Sequence, residues 1–356
     1  MEALKQEHDA SPLRVVVVGA GAFGRNHLRV YRDLEKAGAL VELAAVVDPR
    51  DAARTAAEAE YGIPGFASIE QCLAACRLDA ASLCVPTVHH AECARLLLAA
   101  GIDLLIEKPI AASLVEADEI VRLARELGRT VQVGHLERFN PAVSALRGRL
   151  NRPMFFEVHR LSVFTPRSLD VDVVLDLMIH DLDIVRSLVG SPVRELRAVG
   201  LPVLSPKVDI ANVRLEFENG CVANFTASRV STEKVRKMRF FQPHQYLSLD
   251  FDRQDLLLID VTAAAGLDLA QLAALASAAA ALPNPAALGA QPAPGMTLCK
   301  VPVEPGEPLR LEIESFLDAA RNRTRPLVTA EDGRAALALA LQINEAITSH
   351  VQRTGL

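Results

Sequence analysis

The feature that most constrains the fold is a run of valines that leads directly into a glycine-rich turn. Arg14–Val18 is predicted to form a strand, and a helical pattern follows the turn to about residue 36. Gly19 permits the tight turn, Gly21 lets the backbone approach a pyrophosphate, and Gly24 lets helix and strand pack closely. The N-terminus of the helix offers free N–H groups to phosphates. This order predicts a dinucleotide site, with Ala22 and Phe23 among its contacts.

Short apolar runs alternate with helical patterns through about residue 137. Further strands are predicted at Val41–Val47, Ala80–Val85, Ile102–Ile106 and Thr130–Val133. Near-continuous apolar strands that alternate with helices are typical of a parallel sheet covered on both faces. Ser113 and Glu116 fit a capping box at the start of one of these helices. Residues 1–137 are therefore expected to form an α/β Rossmann domain with a doubly wound parallel sheet.

The pattern changes after Pro141, where strands predominate. Strands are predicted at Phe155–Phe164, Arg194–Val203, Asn212–Glu218, Val222–Val230, Val235–Phe241 and Tyr246–Phe251. One helix, about Val171–Val189, interrupts this series. Such a pattern favours an α+β domain over residues 138–356, with a large, mainly antiparallel, open-faced sheet.

The end of the chain contains an insertion and two closing helices. Residues from about 263 to 305 are rich in Ala, Pro and Gly, and we expect a partly helical, mobile insertion there. Helices are predicted at about Arg310–Asn322 and Ala330–Gln352. Both closing helices are expected to belong to the second domain.

Composition excludes several function classes. The chain has 356 residues, which favours two domains, and a net charge of -6, which argues against nucleic acid or an anionic membrane as partner. Residues 1–11 are polar, and no run approaches the roughly 20 apolar residues that span a bilayer. The six cysteines follow no CxxC spacing, so we expect reduced thiols, no metal and a cytoplasmic protein.

A carboxylate at the end of the second predicted strand indicates the type of cofactor. Asp48 is placed to bind both ribose hydroxyls of the adenosine, and its charge would repel the 2′-phosphate of NADP. NAD is therefore the expected cofactor, although Arg50 lies close enough to accept that phosphate. The alternative is a Rossmann-like domain that binds no nucleotide.

The candidate proton-transfer group of the first domain is Lys108. It follows the predicted strand Ile102–Ile106 within Glu107-Lys108-Pro109, at the sheet edge where ligands bind in open α/β folds. A lysine desolvated beside a cationic nicotinamide releases its proton readily, which suits exchange with a substrate hydroxyl. The alternative is a surface lysine after a strand. The turn residues Glu107 and Pro109, together with Pro86, Thr87 and His90 after another strand, are the further predicted cofactor contacts.

A second candidate group lies on the helix that interrupts the strand-rich half. Asp176, His180 and Asp183 are spaced to lie on one helical face. Asp176 would orient the imidazole while His180 takes the hydroxyl proton. The alternatives are a solvated helix face and a metal site. Because hydride transfer from an alcohol to NAD needs no metal, the metal reading is the weaker one.

These motifs together resemble the Gfo/Idh/MocA family of sugar oxidoreductases over nearly the whole chain. The resemblance rests on Gly19-x-Gly21-x-x-Gly24, Glu107-Lys108-Pro109, Asp176-x-x-x-His180, Glu314–Ala319 and Ala330–Leu337. It implies that Lys108 lies against the nicotinamide, that His180 contacts the reacting hydroxyl and that Pro109 is cis.

Finer resemblance narrows the expected substrate. Gly134–Pro141 is similar to family members that act on UDP-N-acetylglucosamine or its uronic acid, and Asp172–Asp181 and Ala211–Ser231 resemble the 3-dehydrogenases of lipid A biosynthesis. The resemblance implies a nucleotide-sugar substrate whose 3-keto product passes to a PLP aminotransferase. The predicted substrate contacts, beside Asp176 and His180, are Arg138, Asn140, Arg160, Arg167 and Arg229. Surface charge is the alternative for Arg160, Arg167 and Arg229.

Other functions remain open at this point. Another sugar dehydrogenase of the same family is one alternative, acting on a UDP-N-acetylglucosaminuronate or on a substrate of the inositol or glucose type. A non-catalytic NAD-binding regulator is another. Because a broad sheet with one uncovered face usually pairs with another copy, a homo-oligomer, dimer or tetramer, is expected.

Overall fold

A computed structural model of the chain describes residues 11–354, except for 165–170, 263–265, 269, 272, 275–276 and 278–296. The described residues divide into two compact units. The first unit contains the chain up to Leu136 together with Glu307–Leu337, and the second contains Glu137–Gly306 together with the chain from Ala338 onward. Each unit has its own sheet.

The first unit is built on a six-stranded parallel sheet. Its strands are β1 (Leu13–Val18), β2 (Val41–Val47), β3 (Gly65–Phe66), β4 (Ala80–Leu83), β5 (Asp103–Glu107) and β6 (Val131–Gly134). They lie in the order β3-β2-β1-β4-β5-β6. The side chains of Val15–Val18 are buried on both faces, as the uninterrupted valine run predicts. The predicted doubly wound Rossmann sheet is confirmed.

Helices connect these parallel strands. They are α1 (Ala22–Lys36), α2 (Asp51–Tyr61), α3 (Ile69–Ala75), α4 (His90–Ala99) and α5 (Leu114–Glu126), with a 3-10 turn at Thr87–His89. The predicted capping box at α5 is confirmed. The Glu116 backbone N–H donates to Ser113 Oγ at 3.3 Å, and the Ser113 N–H donates to the Glu116 carboxylate at 3.0 Å.

The second unit is built on an eight-stranded sheet. Its strands are β7 (Phe155–Val163), β8 (Val193–Leu201), β9 (Ile210–Phe217), β10 (Val222–Ser231), β11 (Val235–Gln242), β12 (Gln245–Asp250), β13 (Asp255–Asp260) and β14 (Thr297–Val301). They lie in the order β14-β13-β12-β11-β7-β10-β9-β8. Neighbouring strands are antiparallel except for β10 and β7, which are parallel. The predicted mainly antiparallel sheet is confirmed.

Two strands of this sheet were not predicted from the sequence. Asp255–Asp260 runs straight into the alanine-rich segment, so its apolar residues read as part of that segment. Thr297–Val301 falls within the range predicted as a partly helical insertion, and it pairs with β13 instead. Most of the rest of the range 263–305 lies outside the described residues.

The helical segment of the second unit begins with a wide turn. A π-helical turn, Val174–Met178, precedes α7 (Ile179–Val189), where the sequence predicts one continuous α-helix. The Asp172 carboxylate caps the start by accepting from the N–H groups of Val174 at 2.9 Å and Leu175 at 3.0 Å. Turns of this type are frequent at functional sites.

A buried ion pair holds α7 against the sheet. Arg160 of β7 donates from Nε and Nη2 to the two carboxylate oxygens of Asp181, each at 2.7 Å, and from Nη1 to Glu137 at 3.0 Å. Burial by itself would lower the pKa of Arg160, but Asp181 and Glu137 raise it above its ordinary value. Breaking such a pair leaves one charge buried and unpaired, which costs about 3–5 kcal/mol. The pair therefore fixes the residue that follows His180.

Further helices follow β6 and lie near the end of the chain. α6 (Pro141–Arg147) lies in the second unit, while α8 (Pro308–Asn322) and α9 (Ala330–Thr354) close the chain. No helix in the described part of the chain is long and apolar enough to cross a membrane.

The placement of α8 differs from the sequence expectation, because Glu307–Leu337 belongs to the first unit. Its apolar side chains Leu309, Ile313 and Phe316 lie in the same core as Leu28 of α1 and Leu43 of β2. Helical periodicity shows which face of a helix is apolar but not which distant core that face covers.

Candidate dinucleotide and proton-transfer sites

The glycine turn between β1 and α1 is shaped by very close backbone contacts. Gly19 has φ +99°, and a Cβ there would lie 2.7 Å from the Cys84 carbonyl oxygen. A Cβ on Gly24 would lie 1.8 Å from the Gly19 carbonyl oxygen. Gly21 differs, because the nearest atom to its built Cβ is Arg50 Nη2 at 3.9 Å. Gly19 and Gly24 are thus required by the fold itself, while the side of Gly21 stays open.

A cavity of about 710 Å³ opens beside this turn, at the carboxyl ends of β1, β2 and β4. The predicted contacts that line it are Gly19, Gly21, Ala22, Phe23, Asp48, Arg50 and Pro86. The N-cap position of α1 carries no side-chain cap, so the first N–H groups of the helix are available to a phosphate. An open glycine beside an uncapped helix N-terminus fits the diphosphate of a dinucleotide.

Asp48 is held as an anion at the end of β2. Its carboxylate accepts from the Ala20 N–H at 2.8 Å, the Arg50 N–H at 2.9 Å and the Arg50 guanidinium at 3.0 and 3.1 Å. Burial raises the pKa of Asp48, but the hydrogen bonds from Arg50 and Ala20 outweigh it and hold the pKa below its ordinary value. The side chain of Arg50 is 66% exposed yet pairs with Asp48. The charge of Arg50 is therefore partly offset at this end of the cavity.

His90 lies behind the cavity rather than in its wall. It is 1% exposed, and its ring nitrogens each lie 3.0 Å from a carbonyl oxygen, Nδ1 from Pro109 and Nε2 from Val85. Burial lowers the pKa of His90 below its ordinary value even though both carbonyls act in the opposite direction. The neighbouring His89, which the sequence also places beside the cofactor, lines the cavity, whereas Thr87 is not among the described residues that line it. Two adjacent histidines give no sequence signal for which one turns inward.

The Glu107-Lys108-Pro109 turn lies where the sequence predicts, directly after β5, and the Lys108–Pro109 peptide bond is cis. Glu107 was a predicted cofactor contact, but its buried carboxylate lies 2.9 Å from Nε2 of His27. His27 is fully buried, and its spacing with Tyr31 and Leu34 on α1 is the signal that could have revealed it. The turn is therefore anchored from inside the first unit.

In the second unit, the three polar residues of the predicted helical face have different surroundings. Asp176 is half-buried within the π-helical turn, and His180 is 8% exposed near the start of α7. Asp183 is buried, and its carboxylate lies 3.4 Å from Nη1 of Arg138. Because a π turn holds one more residue per hydrogen bond, the predicted i, i+4, i+7 face is not that of a regular α-helix.

The predicted substrate-binding arginines make internal ion pairs. Arg160 binds Asp181 as described above, and Arg229 is 5% exposed and donates from Nε to Asp209 at 2.8 Å. Arg229 also donates to the Val171 carbonyl at 2.7 Å, which ties the start of the His180 segment to β10. Both guanidinium groups are buried and paired, as burial of a charge requires, so the alternative of a surface charge does not apply to Arg160 or Arg229. Their role in substrate binding stays a prediction.

Of the three remaining predicted substrate contacts, Asn140 and Arg138 lie within the described residues of the second unit. Asn140 caps α6 by accepting from the Ala142 N–H at 3.1 Å, and it donates to the Phe251 carbonyl at 3.0 Å. Arg138 is 6% exposed beside Asp183. Arg167 lies outside the described residues. A substrate contact by any of the three stays a prediction.

Comparison with known proteins decides the family. The family model described as "Oxidoreductase family, NAD-binding Rossmann fold" matches residues 13–135, and the Gfo/Idh/MocA C-terminal domain model matches residues 142–242. The UDP-N-acetylglucosamine 3-dehydrogenase of Acidithiobacillus ferrooxidans is 34% identical over 96% of this chain and 99% of its own length. The chain belongs to the Gfo/Idh/MocA family of oxidoreductases.

A second curated relative and a solved structure are also similar to this chain. The inositol 2-dehydrogenase of Corynebacterium glutamicum is 32% identical over 60% of this chain and 66% of its own. The solved structure of UDP-N-acetylglucosamine 3-dehydrogenase GnnA from Acidithiobacillus ferrooxidans has a TM-score of 0.81 at 32% identity, over 95% of this chain and 98% of that one. The family fold thus extends over nearly the whole length.

The glycines of the turn yield a prediction that separates folding from binding. Gly24→Ala is expected to destabilise the protein by about 1–3 kcal/mol or more, since its methyl group overlaps the Gly19 carbonyl. Gly21→Ala is expected to leave the stability within about 1 kcal/mol while weakening NADH binding at least about tenfold, because its methyl group fills the side open to the diphosphate. Urea denaturation and NADH fluorescence titration measure the two effects.

Gly148→Ala is the matched control, because a Cβ there meets no atom within 4 Å. It should change neither measurement. Unaltered NADH affinity in Gly21→Ala would contradict the placement of the diphosphate at this turn.

Proposed function

We propose that this protein is an NAD-dependent dehydrogenase that oxidises the C3 hydroxyl of UDP-N-acetylglucosamine to the 3-keto sugar. The likeness to a UDP-N-acetylglucosamine 3-dehydrogenase along 96% of this chain and 99% of the relative carries the choice of substrate. A relative that matched the Rossmann half alone would support the cofactor but not the sugar. The 3-keto product is suited to a PLP aminotransferase, which would convert it to a 3-amino sugar for lipid A.

The preference for NAD over NADP rests on Asp48. Its carboxylate is anchored by two backbone N–H groups at the end of β2, so its negative charge cannot easily move away from a 2′-phosphate. Arg50 is the cation that would accept that phosphate, and it is paired with Asp48. To bind NADP, the protein would have to break this pair.

Proton removal is assigned jointly to Lys108 and His180. Bound NAD would accept the hydride from C3 of the sugar. The hydroxyl proton would be removed jointly by Lys108, at the carboxyl end of β5, and by His180, near the start of α7. Asp176 would orient the imidazole of His180 and stabilise its charged form. Each of the two residues has a neighbour in the chain that is held by a buried contact, which supports this assignment. Glu107, before Lys108, is held by His27, and Asp181, after His180, is held by Arg160.

The substrate is tested by initial rates of NADH formation with the purified protein. UDP-N-acetylglucosamine with NAD should be turned over, giving a product that lacks two hydrogens by mass and that a PLP aminotransferase with an amino donor converts to the 3-amino sugar. Rates with NADP should be at least about tenfold lower, which corresponds to about 1.4 kcal/mol. Turnover of myo-inositol or of the uronic acid alone would replace the proposed substrate, and no turnover of any sugar would favour a regulator.

The two proton-transfer groups are tested by Lys108→Met and His180→Asn. Each substitution should lower kcat about 10²–10⁴-fold, because each removes a group that accepts the hydroxyl proton. NADH should still bind to His180→Asn, as measured by fluorescence. Lys36→Met, at an exposed position on α1, is the matched control and should keep the full kcat. A kcat close to that of the wild type in both variants would contradict the assignment.

We also propose that the protein forms a homo-oligomer, a dimer or tetramer, through the open face of the eight-stranded sheet. Along β8 the side chains of Val199 and Leu201 point to this face and are 43% and 40% exposed. Arg197 of β8 lies opposite Arg214 of β9, with Glu195 and Glu216 nearby, so the face also carries both signs of charge. A patch of this kind can complement itself across a two-fold axis.

Leu201→Glu should weaken the oligomer, as measured by light scattering of the purified protein at micromolar concentration. The reason is that the substitution introduces like charges at symmetry-related positions of the proposed interface. Val115→Glu is the matched control, because Val115 is 80% exposed on α5 of the first unit. A wild-type protein that scatters as a monomer would overturn this proposal.

A further inference from the structure

A group of buried polar side chains lies behind the Glu107-Lys108-Pro109 turn, inside the first unit. Glu107 and His27 form its hydrogen-bonded part, at 2.9 Å. Glu312 of α8 is 0% exposed, and neither of its carboxyl oxygens has a hydrogen-bond partner among the described residues. Gln132 of β6, also 0% exposed, donates from Nε2 to the Glu312 carbonyl oxygen at 2.9 Å. The site described above does not use Glu312.

The charges around Glu312 do not favour its ionised form. Its electrostatic interactions include those with Glu107 of β5, Tyr31 of α1 and Cys84 after β4, none of which is a cation. No salt bridge in the described part of the chain involves Glu312. A buried carboxylate with neither a cation nor a donor is so costly that such a group takes up a proton instead. Burial raises the pKa of Glu312 well above its ordinary value, and the charge of Glu107 raises it further.

Of the two carboxyl groups, only that of Glu107 has a hydrogen-bond partner among the described residues, whereas that of Glu312 has none. His27 Nε2 faces the carboxylate of Glu107, so that carboxyl group has a hydrogen-bond partner. Glu312 has no comparable donor, so a proton shared by the pair belongs on Glu312. Space at Glu107 is also restricted, because a Cβ on Gly134 would lie 2.9 Å from its Oε1. The carboxylate of Glu107 is thus confined by His27 and Gly134.

We propose that Glu312 is a positioning residue that stays protonated, so that Glu107 remains the anion held by His27 and keeps Lys108, the next residue, in place. Ionisation of Glu312 would put two negative charges side by side in the interior and drive the carboxylate of Glu107 away from its confined position. The kinetic part of this inference rests on the function proposed above. The protonation itself does not depend on any substrate.

The buried proton is tested first on the full-length protein without substrate. A protonated carboxyl group has a carbonyl stretch in the infrared that a carboxylate lacks, and the wild type should show one that Glu312→Gln does not. Because the pKa of Glu312 is raised in the folded state, its contribution is fully present below the unfolded pKa and is lost as pH rises through the folded value. The wild type should therefore lose stability relative to Glu312→Gln as pH rises, in urea denaturation.

Glu314→Gln is the matched control, because Glu314 is on the same helix, is 40% exposed and pairs with Arg310. It should retain the infrared band. An unchanged band in Glu312→Gln, together with parallel stability curves, would show that Glu312 is ionised and would overturn the proposal.

The positioning role is tested by kinetics over a range of pH. Glu312→Gln preserves a neutral side chain of the same size, so it should keep kcat within about twofold at neutral pH and keep it to a higher pH than the wild type. Glu312→Lys, which puts a charge beside Glu107, should lower kcat at least about tenfold. NADH binding and far-ultraviolet circular dichroism establish that each variant is folded.

The kinetic outcomes separate the two proposals. If no sugar is oxidised, the proposed function fails, and the infrared and stability measurements still decide whether Glu312 holds the proton. If the sugar is oxidised but Glu312→Gln and the wild type have the same pH profile, the positioning role is wrong.

Discussion

The backbone contact between Gly19 and Gly24 underlies the first unit and its candidate site. No side chain fits between the carbonyl of Gly19 and the helix that begins at Ala22, because a Cβ on Gly24 would overlap that carbonyl. The same turn brings the Ala20 N–H to the carboxylate of Asp48, which joins the ends of β1 and β2. A side chain at Gly24 would separate these elements and disturb the cavity beside them. The shape of the cavity therefore rests on this backbone contact.

Buried charge organises both units, but in different ways. In the second unit, two arginines on the strands pair with buried aspartates. Arg160 of β7 pairs with Asp181 of α7, and Arg229 of β10 pairs with Asp209, which directly precedes β9. These pairs are too well enclosed to act as simple surface contacts, and they hold the segment in one orientation. In the first unit the carboxylate of Glu107 faces a histidine and interacts with a second carboxyl group, and no arginine pairs with it among the described residues.

Much of the candidate site was predictable because it depends on local sequence. The glycine turn, Asp48 and Lys108 each follow a predicted strand, and the carboxyl ends of parallel strands meet at one edge of a sheet. The sequence did not determine the direction of some side chains. His90 faces inward while His89 lines the cavity, and the carboxylate of Glu107 lies against His27. Such choices depend on the packing of helices that are distant in sequence.

The sequence by itself determined most of the strands and helices, the glycine turn, the acidic residue after β2 and the lysine after β5. These features follow from periodicity, from the wide conformational range of Gly and from the narrow one of Pro. Only the tertiary structure decided that α8 belongs to the first unit, that a π-helical turn precedes His180, and that the buried Glu312 comes within electrostatic range of Glu107. An apolar stripe or a single acidic residue does not specify its partner, because burial and hydrogen bonding are set by chain segments that meet only after folding.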